Sequence, residues 1–143
     1  MNRVEVEASY RVPPAVVWSR IADHEGLADW LPLREAVRRR RGFPDPNGVG
    51  AVRTLRGGGL VVEEEITDFK PEERLEYALL AGAPLREARG EVVLTRDGES
   101  TRVRWVVRFR PALPGTGWVV SALLARILER GLDRLRRLLE PDR

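Results

Sequence analysis

Between about Gly117 and Glu140 the chain carries apolar side chains at helical spacing and has no internal proline, whereas nearly everything from Leu33 to Pro111 reads as strand. One long helix must therefore cover the apolar face of a whole sheet. A curved sheet gripping a single helix leaves a cavity between the two, and function is to be sought there.

The strands follow from alternation and turn residues. Residues 2–10 place Val4, Val6, Ala8 and Tyr10 on one face and Arg3, Glu5, Glu7 and Ser9 on the other, a half-buried strand. Pro13 and Pro14 end it, and Pro14 suits the first turn of a short helix that carries Val16, Val17, Trp18 and Ile21 toward the core. A second short helix from about Glu25 to Trp30 stops at Pro32. Strand character resumes over Leu33–Arg40, and Gly42–Gly48 is a loop. Gly50–Arg56, Leu60–Phe69, Arg74–Leu80, Arg86–Thr95 and Thr101–Arg110 then form an antiparallel meander joined by short turns. In the last strand Val103, Trp105, Val107 and Phe109 face the core, while Arg102, Arg104, Arg108 and Arg110 face solvent.

On the closing helix, Leu124, Ile127, Leu128, Leu132, Leu135, Leu138 and Leu139 mark the buried side. Its first half, Trp118–Ala125, is apolar nearly all round and calls for cover beyond the sheet. A ligand would supply that cover, as would a homodimer through this segment.

Composition narrows the chemistry. The 143 residues suit one domain, expected to span 1–143. With no cysteine there is no disulfide, thiolate nucleophile or cysteine-ligated metal, which fits a reducing cytoplasm. The longest apolar run is far too short to span a bilayer. The net charge is only +3, and Lys70 is the sole lysine among 25 basic residues, so the arginine excess reflects coding bias or ion pairing rather than a binding patch. The Arg38–Arg41 run lacks interleaved aromatics, so specific nucleic-acid recognition is not expected. The outer arginines of the last strand are expected to pair with Glu5 and Glu7 of the first and with Glu87 and Glu91 of the sixth. The sole histidine, His24, has no cysteine or second histidine to share a metal with and is expected in a surface or capping role. No cofactor is expected.

Glu64 is the foremost chemical candidate. In Leu60–Thr67 the apolar parity is Leu60, Val62 and Ile66, which turns Glu64 inward and Glu63 and Glu65 outward. A carboxylate on an apolar face must be paired or have its pKa raised by desolvation. Tyr77 and Trp105 share the inner parity and would line a cavity or simply fill a core.

The order of strand, two short helices, six strands and long helix resembles the helix-grip fold of the polyketide cyclase/dehydrase and lipid-transport superfamily, related to START lipid-transfer domains and birch-pollen-allergen-like proteins. The resemblance rests on Val12-Pro13-Pro14-Ala15-Val16-Val17-Trp18 with Ile21-Ala22-Asp23, on Trp30-Leu31-Pro32, on Gly50-Ala51-Val52-Arg53, and on Glu64-x-Ile66 followed by Pro71 and Tyr77. It implies an α+β fold in which a curved seven-stranded antiparallel sheet wraps the C-terminal helix. It also implies that Arg53 partners Glu64. The expectation is a small hydrophobic ligand (lipid, isoprenoid or polyketide-like) held by Arg53, Val62, Glu64, Tyr77, Val92, Trp105, Leu124 and Leu128. Two alternatives stand beside it: a cyclase or dehydratase with Glu64 as general acid or base, and a protein-interaction module of the toxin-like or chaperone-coactivator kind.

Overall fold

The computed structural model describes residues 1–141. Strand β1 (Asn2–Tyr10) leads into helix α1 (Pro14–Ile21) and a 3-10 turn (Glu25–Asp29). Strands β2 (Glu35–Arg40), β3 (Val52–Gly57), β4 (Leu60–Lys70), β5 (Arg74–Ala81), β6 (Leu85–Asp97) and β7 (Ser100–Pro111) follow, and α2 (Gly117–Leu139) closes the chain. All pairings are antiparallel in the order β1-β7-β6-β5-β4-β3-β2. This is the expected helix-grip arrangement. The strand expected from Leu33 begins only at Glu35, because the Leu33 N–H turns back to the Leu31 carbonyl at 2.8 Å.

Alternation decides which side chains meet α2. Val4, Val6 and Tyr10 of β1 and Val103, Trp105, Val107 and Phe109 of β7 are buried, while Arg102, Arg104 and Arg108 are exposed. Register shifts interrupt the β2–β3, β4–β5 and β6–β7 ladders, and bulges of this kind bend a sheet toward the element it covers. In α1, Pro14, Val17, Trp18 and Ile21 form the buried stripe. Val16, expected with them, is exposed because it lies off that stripe.

Helix α2 is held unevenly. Leu128, Gly131, Leu132, Leu135 and Leu139 are buried, each leucine contributing roughly 1.5–3 kcal/mol of apolar burial. Gly131 lies in this stripe because a Cβ there would come within 2.6 Å of Leu31 Cδ2. The glycine costs about 1 kcal/mol in helix propensity and in return lets Leu31 sit directly against the helix. Polar ties add to the seating: the Tyr10 hydroxyl donates to the Leu132 carbonyl at 2.7 Å, and Arg136 donates to the Ser9 carbonyl at 2.7 Å while stacking over the Tyr10 ring. Burial pushes the Tyr10 pKa up, so the hydroxyl keeps the proton it donates. The first half of α2 has a single, longer tie, the Asn2 side-chain amide donating to the Ser121 hydroxyl at 3.4 Å. There Val120 and Leu124 are only half-buried, and Ile127, expected on the buried side, is exposed.

Candidate functional site

The antiparallel register of β3 on β4 sets Arg53 opposite Glu64 and Leu55 opposite Val62, so strand alternation turns all four to the inner face. Arg53 Nε and Nη2 both reach Glu64 Oε1, at 2.9 and 2.8 Å, and both side chains are largely buried. The expected inward pair is present.

Arg53 is also the centre of a wider network. Its Nη1 donates to His24 Nδ1 at 3.2 Å, and His24 Nε2 lies 2.8 Å from the Asn47 carbonyl oxygen. Because Nδ1 accepts, the ring proton sits on Nε2 and is donated to Asn47. The Asn47 side-chain oxygen in turn accepts from Arg38 at 2.6 Å. On the other side the Arg53 guanidinium lies 4.9 Å from the centre of the Tyr77 ring, and the Tyr77 oxygen accepts from the Trp105 indole at 3.0 Å. Burial, with Glu64 adding to it, pushes the Tyr77 pKa up and keeps its hydroxyl protonated.

His24 overturns the expectation of a surface or capping role. It is 1 % exposed, and burial first, then the Arg53 charge, lowers its pKa to about 4. Proximity to Asp23 in sequence suggested a cap, but the 3-10 turn aims the ring inward, under the loop that carries Asn47.

Tyr77, Trp105, Arg53 and Val92, all expected to line a cavity, do line one, together with Ile21, Leu27, Trp30, Leu75 and Leu132. Val62, Glu64, Leu124 and Leu128 do not border it. Glu64 is turned into Arg53, and the cavity meets α2 one turn beyond Leu128, at Leu132. The lining from α1 and the 3-10 turn was invisible to strand parity, although Trp30-Leu31-Pro32 marked the segment. The cavity volume is about 10 Å³, room for roughly one water molecule. A ligand-sized enclosed cavity was expected; Trp30, Tyr77, Trp105 and Leu132 fill that space instead. Trp30 is fully buried with its ring edge-on to Trp105 at 6.0 Å, and its indole N–H has no partner among the described residues.

A larger cleft of about 440 Å³ opens on the outer sheet face between Glu76, Glu91, Arg89 and Arg108. Beside it Arg74 bridges Asp68, Glu76 and Glu91, a solvated ion-pair network. Of the cross-strand pairs expected for β7, Arg110–Glu87 forms at 3.0 Å, whereas Glu5 pairs with Arg3 and Glu91 with Arg74. Three arginines of the run are tied into the fold: Arg38 holds Asn47, Arg39 donates to Thr54, and Arg40 to the Gly50 carbonyl and Glu65. Among the described residues no group of three His, Cys, Asp or Glu side chains is placed to hold a metal ion. Among the described residues no helix is long and apolar enough to cross a membrane.

A seven-stranded antiparallel sheet wrapped on one long C-terminal helix is the helix-grip fold, and comparison with known proteins agrees. The chain belongs to the polyketide cyclase/dehydrase and lipid transport family, whose model matches residues 1–140. Among solved structures it is similar to a START superfamily protein from Mycobacterium smegmatis (TM-score 0.85, 16% identity, 99% of each chain covered). The XoxI protein of Bacillus cereus is also similar (TM-score 0.82, 19% identity, 100% of this chain and 99% of that one). So is a Thermobifida fusca protein (TM-score 0.79, 22% identity, 98% and 96% covered). At these identities the likeness is one of fold. Comparison with curated proteins finds no match.

Proposed function

We propose that this protein binds a small, mainly apolar molecule carrying a hydrogen-bond-accepting oxygen, seated between the sheet and α2. The observation that carries this reading is the unpartnered indole N–H of Trp30, buried in the wall of a cavity that Arg53 and Tyr77 also line. A buried donor without an acceptor costs about 1–3 kcal/mol, and the hydroxyl proton of Tyr77, whose oxygen already accepts from Trp105, is a second donor in the same wall. Apolar walls with a few converging donors suit a ring ketone, a carboxylate or a similar headgroup. The family's lipid-transport members support the apolar class of ligand.

Tyr10 and Arg136 keep the second half of α2, with Leu132, on β1, so the ligand extends from the cavity toward the first half of the helix, where Val120 and Leu124 are only half-covered. Glu64 serves as counter-ion to Arg53. A carboxylate held by two guanidinium nitrogens, and set back from the cavity, favours this binding role over general acid–base work.

The test compares a long-chain methyl ketone with the alkane of equal length. The ketone is expected to bind up to about tenfold more tightly, the worth of one net hydrogen bond, and Trp30→Phe should narrow the gap. Equal affinities would remove the oxygen-recognition reading, and failure of both to bind would remove the carrier reading. Turnover of a polyketide-like substrate that Glu64→Gln abolishes would replace it with the enzyme.

A further inference from the structure

One end of the molecule gathers exposed apolar side chains that the fold itself does not use. The turn between β5 and β6 touches two other segments there: the Pro84 carbonyl accepts the Ala112 N–H at 3.1 Å, and Gly82 packs on the backbone of Val61. The start of β4, the end of β5 and the β7–α2 junction therefore lie side by side. Leu80 at the end of β5 and Leu113, Trp118 and Leu123 at the junction and first turns of α2 present large apolar groups to solvent, whereas Val61, next to inward Val62, is exposed on the outer sheet face. Trp118 is 76 % exposed, while Trp18, Trp30 and Trp105 are all buried. Single exposed apolar residues are ordinary, but Trp118, Val119 and Leu123 share the solvent face of the first turns of α2, and an exposed apolar face of this kind marks an interaction surface.

Charge identifies the partner. From Thr101 to Leu128 the chain contains no Asp or Glu, and Arg126 stands on α2 beside the exposed stripe. Arg86 and Arg110 are register partners at this same end, so two like charges lie directly opposite each other. Glu87 answers Arg110, but Arg86 and Arg126 have no ion pair among the described residues. An exposed tryptophan and leucines rimmed by arginine match the headgroup boundary of an anionic bilayer, where the ring sits among glycerol and acyl groups and the guanidinium groups meet phosphates. A second copy of the chain fits less well, since an isologous contact brings Arg86, Arg110 and Arg126 toward their own copies.

We infer that this end of the protein docks peripherally on an anionic lipid bilayer, with Trp118, Leu113 and Leu123 inserted at the headgroup boundary. Docking does not rest on the ligand reading, because vesicle binding and probe uptake are separate measurements. The experiment uses the full chain with vesicles of phosphatidylcholine alone or mixed with phosphatidylglycerol, some carrying brominated acyl chains that quench nearby tryptophan. Co-sedimentation is expected with the anionic vesicles and not with phosphatidylcholine, weakening as salt is raised. Quenching is expected in the native protein and lost in Trp118→Phe, which should still sediment. Trp118→Ser combined with Leu123→Ser should abolish sedimentation, and Arg86→Gln or Arg126→Gln should each weaken it roughly fivefold. Absence of sedimentation with anionic vesicles at low salt would overturn the proposal. Quenching that persists in Trp118→Phe would overturn it too, as would a concentration-dependent dimer that shields Trp118 and blocks vesicle binding.

Discussion

The ring of Tyr77 lies where a side chain on Gly90 would be. The two residues are register partners on β5 and β6, and a Cβ built on Gly90 would fall 2.0 Å from Tyr77 Cζ and 2.2 Å from its hydroxyl oxygen. Glycine in the middle of a strand weakens it locally, yet here it lets the phenol lie across the neighbouring strand, where its oxygen meets the Trp105 indole.

Gly90→Ala should therefore displace Tyr77 and cost about 1–3 kcal/mol, the usual penalty for overpacking. In a Tyr77→Leu background the same change should cost clearly less. Urea unfolding of the four proteins in this cycle measures the coupling, and full additivity would show that the ring does not depend on the missing side chain.

Breaking the buried ion pair should be worse than removing it whole. Arg53→Met leaves the Glu64 carboxylate and His24 Nδ1 without their donor, with an expected loss of about 3–5 kcal/mol. The double variant Arg53→Met, Glu64→Leu should recover part of that loss. A double variant less stable than Arg53→Met alone would mean that the pair is net stabilising beyond its desolvation cost.

His24 makes stability depend on pH in a defined window. Its folded pKa of about 4 lies below the ordinary value of 6.5, so between these values the unfolded chain binds a proton that the folded chain does not. Stability is complete above pH 6.5 and falls as pH drops toward 4. Between pH 7 and pH 5 the loss is about 2 kcal/mol, in a range where most carboxylates stay ionised. Denaturant unfolding of the native protein and His24→Gln across this interval isolates the effect, and equal slopes would place His24 in a solvated environment.

Leu132 is buried where α2 meets the cavity. Leu132→Ala should cost about 2–5 kcal/mol and enlarge the void enough for a small apolar probe such as benzene. The native protein should take up the same probe far more weakly. Native binding as tight as the variant's would show that the interior opens without the deletion.

Strand and helix order, the inward parity of Glu64, Tyr77 and Trp105, and the burial of α2 along its leucines were all legible in the sequence. They depend on period-2 and period-3.6 repetition, which a linear text displays directly. Arg53 had ambiguous parity in its own strand and was matched to Glu64 only through the family resemblance; the β3–β4 register made the pair. His24, Asn47 and Arg38 lie far apart along the chain, on a 3-10 turn, a loop and a strand. Their convergence on Arg53 depends on how the loop folds back over the sheet, which no local pattern encodes. The size of the cavity was equally out of reach, because about 10 Å³ remains only after Trp30, Tyr77, Trp105 and Leu132 have interlocked from four separate elements. Periodicity says which side of an element is buried; only the packed tertiary structure decides what each buried group meets and how much space is left between them.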